Sequence, residues 1–262
     1  MLPETVREGC HDLQMSMSPD RAAFYLDCLR ADSARLAEVA RLGLSAEDPS
    51  CPGWTVDTVV RHTATVYLHK VEILRLGRLP DPWPPDLTSR DALALYDEAR
   101  AKVVAALEQA GTDLATWTFS PDDKTSAFWY RRMALETAVH RVDVEQAHDV
   151  VTPIDRELAL DGIDEVLVLM LGGPWWEEGD TSNPVDAGVR ITSEGRSWII
   201  RANATSATVI PGKEGEFDAE IFGEANDVLL WLWGRRTSDA IQTVGNDTAV
   251  QAFRNRVAEC TT

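Results

Sequence analysis

The chain has 262 residues, with 25 Lys and Arg against 43 Asp and Glu, a formal charge of −18 at pH 7. Its 44% apolar and 26% charged residues are those of a globular protein, long enough for one large domain or two modest ones. Such an acidic surface excludes nucleic acid and anionic membrane as partners, since both need a basic patch.

Residues 1–18 show no periodicity and read as an N-terminal arm. A helix is predicted from Pro19-Asp20, with Asp20 as N-cap, apolar residues at Phe24, Leu26, Leu29, Leu36, Val39 and Leu42, and Gly43 as its end. SAEDPSCPGW is a loop. A second helix runs from about Thr55 to Leu76 and stops at Gly77. RLPDPWPPDLTS is too rich in proline for helix. Ser89-Arg90-Asp91 caps a third helix, about 90–110, and a fourth covers about 127–148. Four amphipathic helices joined by three loops predict a four-helix bundle over 19–152.

Residues 153–262 read differently. A helix at about 157–171 ends at Gly172-Gly173-Pro174. Short β segments follow: GVRITSEG, RSWIIRAN, ATVIPG and AEIFGEA, the first two joined through a turn at Gly195. NDVLLWLWGRR is a short apolar helix, capped by Asn226 and stopped at Gly234. A last helix spans about 247–259. The fold class is α+β overall, a helical bundle followed by a smaller α+β domain.

No apolar run approaches the ~20 residues of a membrane helix. MLPETVREGCHDLQ has no basic segment followed by an apolar core, so no secretory signal is read. The cysteines at 10, 28, 51 and 260 form no C-x-x-C pair and no disulfide framework, which points to a reducing cytoplasm. Cys51 reads as a structural thiol.

The fourth helix carries the chemistry. Trp129, Met133, Glu136, His140, Val144 and Ala147 follow steps of 4, 3, 4, 4 and 3, an inward stripe. Glu136 and His140 lie about 40° and about 6 Å apart, so their side chains can converge. An inward carboxylate needs a partner: a metal ion, an arginine, or His140 itself. On the second helix His62 flanks the inward face at Val59 and Val66. Helices two and four are close in any filled bundle. His62, Glu136 and His140 then form a 2-His-1-carboxylate set suited to a divalent ion with open positions. A hydrogen-bonded Glu–His pair is the competing reading. Asp143 could orient a ligand imidazole or pair with Arg132 or Arg141. His69 is about 10 Å beyond His62 along its helix and does not reach the same ion. His148 suits a helix end, and His11 falls in the arm. The tryptophans, Trp231 and Trp233 included, read mostly as core.

Three segments, CPGWTVDTVVRH (51–62), RMALETAVHRVDVEQA (132–147) and LALDGIDEVL (158–167), resemble the DinB-like, mycothiol-dependent maleylpyruvate isomerase family. ATVIPG, LLWLWGRR (229–236) and GND (245–247) resemble that family's second domain. The resemblance implies a metal triad of His62, Glu136 and His140, usually holding zinc, and a sterol-carrier-like second domain. It implies Arg235 as a basic residue facing the cleft, either as an anion clamp or as a helix C-cap. It implies mycothiol as thiol cosubstrate and a small electrophile as substrate. The activity is then cis–trans isomerisation of a maleylpyruvate-like molecule or thiol transfer. A non-catalytic metal-binding or ligand-sensing protein is the other class. Val142 and Thr63 depart from the family's usual residues, which bears on substrate identity.

Overall fold

A computed structural model describes residues 17–174, 183, 185, 187–203, 205–212 and 214–261. The arm, with Cys10 and His11, lies outside the described residues apart from Met17 and Ser18.

Helix α1 (Pro19–Ala40) is capped by Ser18, whose Oγ accepts from the Arg21 amide at 3.2 Å. Asp20, predicted as the cap, lies within the first turn instead. Proline at the first helical position loses no hydrogen bond, so the cap moves back to the residue before it. The helix also ends three residues before Gly43. Helix α2 (Val56–Leu76) opens with a reciprocal Thr55–Thr58 capping box and closes at Gly77, which has φ 69°. Helix α3 (Ala92–Ala110) is capped by Asp91 and ends at Gly111. Helix α4 (Ala127–Gln146) packs against α1 and α2, and α2 also packs on α3. This is the predicted bundle.

Covered by α1, α2 and the next helix, α4 is buried almost all round. Its charged residues therefore need internal partners, and each finds one. Arg141 meets Asp32 and Glu145, and Arg132 meets Glu136 and Glu165.

Helix α5 (Arg156–Asp164) runs straight on as a π-helical stretch, Glu165–Leu171, where one continuous α-helix was predicted. A mixed five-stranded sheet follows, in the order β3-β2-β1-β4-β5. Strands β1 (Gly188–Ser193) and β2 (Arg196–Ala202) form the predicted hairpin. Its turn residues, Glu194 and Gly195, both have positive φ, 45° and 88°. β2 continues antiparallel to β3 (Ala207–Pro211), and β1 pairs in parallel with β4 (Ala219–Phe222). The edge strand β5 (Gln242–Gly245) was not predicted. It is exposed along its length and has no apolar alternation to betray it. Helix α6 (Ala225–Leu232) is preceded by Glu224 at the cap position rather than Asn226. The Asn226 side chain instead accepts from the Ile154 amide at 3.0 Å. Helix α7 (Asp247–Thr261) closes the described chain.

Gly162 sets the contact between the helical and sheet parts. A Cβ there would lie 2.9 Å from Leu135 of α4 and 2.9 Å from Leu229 of α6. The absent side chain lets α5 seat α6 close to α4. Gly162→Val should destabilise the fold by about 1–3 kcal/mol through overpacking, read as a lower Tm in thermal unfolding. Gly162→Ala should cost less than Gly162→Val, because a single methyl displaces only the three side-chain methyls of Leu135 and Leu229 and alanine favours the helix.

Candidate metal centre

His62 projects from α2, and Glu136 and His140 from successive turns of α4. The Glu136 Oε1 lies 3.5 Å from His62 Nε2 and 3.3 Å from His140 Nε2. The three candidate ligand atoms all fall within 4.8 Å of one another. The His62 side chain is 38% exposed, against 13% for Glu136, so the cluster opens to solvent on the α2 side.

The remaining polar atoms of this cluster are held by neighbours. Arg132 Nη2 donates to Glu136 Oε2, and its Nη1 donates to Glu165 Oε2 at 2.6 Å. His140 Nδ1 pairs with Asp143 Oδ2 at 2.9 Å. Asp143 is fully buried and receives a fork from Arg235: Nε to Oδ1 at 2.8 Å and Nη2 to Oδ2 at 3.0 Å. Burial would raise the Glu136 carboxyl. Arg132 and the two imidazoles overcome this and hold it well below the usual carboxylate range. Burial would lower the His140 imidazole. Asp143 and Glu136 overcome it and push His140 up to about 9.

This donor set fits a divalent cation. Two imidazole Nε2 atoms and one carboxylate oxygen converge, while Asp143 and Arg132 hold the outer atoms of His140 and Glu136. Such outer partners fix tautomer and orientation in metal sites. Nitrogen and oxygen donors without thiolate suit zinc and its divalent neighbours.

A second group, Asp48, Cys51 and Asp143, is equally tight. It already contains a cation, since Arg235 Nη2 lies 3.2 Å from Cys51 Sγ and also binds Asp143. Burial and the Asp143 charge push the Cys51 thiol up to about 12, so it stays protonated and is a poor ligand.

The triad forms the floor of a cavity of about 450 Å³, walled by Trp54, Trp233 and Arg235. The Trp54 ring stands 5.1 Å from His62 and stacks 6.5 Å from His140. The cavity joins the two parts of the fold, because Trp233, Arg235, Cys260 and Thr261 come from the sheet part.

The structure brings together His62, Glu136 and His140, as the stripe predicted. Asp143 takes the orienting position offered for it, and its arginine partner is Arg235 rather than Arg132 or Arg141. Arg235 lines the cavity, but most of its donors are engaged with Asp143, Cys51 and the Trp233 carbonyl. Trp233, read as core, lies on the cavity wall. His69 stacks on Trp83 away from the triad, and His148 Nε2 pairs with the Gly43 carbonyl at 3.1 Å. Thr63 donates to the Val59 carbonyl, and Val142 is fully buried; neither lines the cavity. The role of Glu165 was missed, since its sequence neighbourhood reads as plain apolar helix.

Comparison with known proteins adds the following. The family model "Mycothiol maleylpyruvate isomerase N-terminal domain" matches residues 26–145, and "MDMPI C-terminal domain" matches 157–252. The crystal structure of the mycothiol-dependent maleylpyruvate isomerase superposes with a TM-score of 0.58 at 14% identity, covering 86% of this chain and 94% of that one. A histidine-to-alanine mutant of that isomerase gives 0.55 at the same identity and coverage. At this identity the likeness is one of fold. A UbiJ-SCP2 ubiquinone synthesis protein covers 41% of the chain at a TM-score of 0.29, too low to bear on the argument. No curated protein sequence matches. No helix among the described residues is long and apolar enough to cross a membrane.

The raised His140 makes a signed prediction for chelator-treated protein. A folded-state value near 9 against ~6.5 unfolded contributes stability that is present below pH 6.5 and is lost as pH rises through 9. The full swing is about 3 kcal/mol. Thermal unfolding between pH 6.5 and 9.5 should show Tm falling. Asp143→Asn should flatten the slope, and an unchanged slope would contradict the assignment.

Proposed function

We propose, for a chain that belongs to the mycothiol maleylpyruvate isomerase family, a metal-dependent enzyme that activates a low-molecular-weight thiol for addition to an electrophilic alkene. The observation that carries this reading is the convergence of His62, Glu136 and His140 on the floor of a cavity. The cavity then lies between residues 19–152 and 153–262, the two parts of the proposed division. The cosubstrate proposed is mycothiol, and the electrophile is a maleylpyruvate-like molecule.

His62 and His140 would hold the ion through Nε2, and Glu136 through Oε1. A divalent cation bound there, zinc by its donor set, supplies positive charge that keeps a thiol deprotonated near neutral pH. Asp143 accepts the His140 Nδ1 proton and so keeps the Nε2 lone pair aimed at the site. Arg132 occupies Glu136 Oε2, which leaves Oε1 as the donor. Arg235 acts through Asp143 as a positioning residue and has one Nη1 hydrogen left for an anionic group in the cavity. Trp54 and Trp233 supply apolar walls to the cavity beside the triad.

In this setting a thiolate adds to one alkene carbon, and the π pair moves into the conjugated carbonyl. The former double bond rotates, and return of the pair expels the thiolate. Thiol is conserved, and cis becomes trans. Protonation of the adduct before elimination gives thiol transfer instead.

Protein prepared without chelator should contain one equivalent of a divalent transition metal by elemental analysis. It should turn over maleylpyruvate only when mycothiol is present. His62→Ala should lose most of the metal. Its activity should fall by more than the roughly 10–100-fold that loss of an outer partner costs. Stoichiometric loss of thiol would select transfer over isomerisation. Tight thiol binding without turnover on any of a panel of electrophiles would select the ligand-sensing class and overturn the enzyme reading.

A further inference from the structure

Arg131 and Arg132 are consecutive on α4, and each meets carboxylates from the helical segment 156–171. Arg131 pairs with Asp161 and Asp164 at a partly exposed edge. Arg132 turns inward. Its Nη1 donates at 2.6 Å to Oε2 of Glu165, whose side chain is only 1% exposed. Its Nη2 donates to Oε2 of Glu136. The guanidinium also lies 5.7 Å from the ring centroid of Trp233, a wall of the cavity. Glu165, Arg132 and Glu136 thus form a buried chain that ends on a triad side chain.

Stability alone is a poor account of this chain. A buried ion pair can often be replaced by apolar residues without loss. Here the arrangement carries an added cost, since Glu165 Oε1 is buried and finds no hydrogen-bond partner among the described residues. Burial raises the Glu165 carboxyl, and Arg132 and Arg131 act against burial, so its ionised form depends on these arginines.

The charges around the triad give Glu165 a role. Asp143 is matched by Arg235. Had Arg132 only Glu136 as partner, that pair would be neutral too. A divalent cation would then meet two imidazoles, which bind in their neutral form, and a carboxylate whose charge is already matched. With Glu165 present, Arg132 is balanced from behind, and the charge of Glu136 is left over. The arginine can then hold Oε2 while Oε1 keeps its strength as a donor.

We propose that Glu165 is a positioning residue of the metal centre: by neutralising Arg132, it lets that arginine orient Glu136 without consuming the negative charge that draws the cation. The inference rests on the metal reading of the triad and deepens it.

The test reads metal affinity, not turnover. Protein stripped with EDTA is titrated with zinc in competition with a chromophoric chelator, and the stripped forms are compared by thermal unfolding. Wild-type protein should take up one equivalent of zinc. Glu165→Gln, which keeps the shape and removes the charge, should bind it roughly 10–100-fold more weakly, the usual cost of losing an outer partner. In an Arg132→Met background the same change should alter affinity by less than about threefold. Without the arginine, burial leaves Glu165 protonated, and glutamine is then its equal. Arg132→Gln, equally neutral, serves where the methionine variant does not fold. Wild-type zinc affinity in Glu165→Gln would overturn the inference, and a lowered Tm of its stripped form would then mark a merely structural pair. An equal loss of affinity with and without Arg132 would also overturn it. Wild-type protein that binds no zinc would instead show that the metal reading itself fails, and this inference with it.

Discussion

A single buried carboxylate holds the site together. Asp143 has no solvent exposure, and it lies between the His140 imidazole and the Arg235 guanidinium. Its charge is tolerable only because both partners are present, and removing one partner of such a pair costs about 3–5 kcal/mol. His140 belongs to α4, whereas Arg235 belongs to the turn after α6. The same carboxylate therefore orients a triad imidazole and ties the sheet part to the bundle. Gln146 adds a second tie by donating to the Arg235 carbonyl at 2.8 Å.

Around this point the charges are layered by sign. The inner layer is anionic, with Glu136 and Asp143 beneath the cavity. The next layer is cationic: Arg132 holds Glu136 and Arg235 holds Asp143. A further anion, Glu165, backs Arg132 from the π-helical stretch after α5. The wider turn of a π-helix is common at functional positions, and here it coincides with the residue that reaches Arg132. Each buried charge in this set has an opposite neighbour, so α4 can carry ionised groups through the middle of the fold. An arginine at the Asp48–Cys51–Asp143 group fills the place an ion would need, whereas at the triad Arg132 takes Oε2 of Glu136 and leaves Oε1 facing both Nε2 atoms.

The sequence made the bundle legible through local signals. Helix α2 starts at Thr55 and stops at Gly77 as predicted, Asp91 caps α3, and the hairpin turn falls at Gly195. The cluster was legible because Glu136 and His140 interrupt an otherwise apolar stripe, and His62, unlike His69, flanks the inward face of the second helix at a level that could reach them. What stayed hidden depends on contacts between distant segments. The grip of Arg235 on Asp143 spans 92 residues. The π-helical stretch and the edge strand β5 have no distinctive periodicity, since EVLVLML reads as helix and QTVG as loop. Ser18 displaced Asp20 as a cap because the proline between them leaves no amide to satisfy, a rule local enough to have been read.

The central claim is that the protein binds its metal through two imidazoles and a carboxylate, not through Cys51. X-ray absorption at the zinc edge, on protein loaded with one equivalent of zinc, tests it most directly. The account predicts scattering from two imidazoles and a nitrogen and oxygen shell at about 2.0–2.1 Å, with no sulfur. A sulfur shell at about 2.3 Å would place the ion at the Asp48–Cys51–Asp143 group and contradict the account.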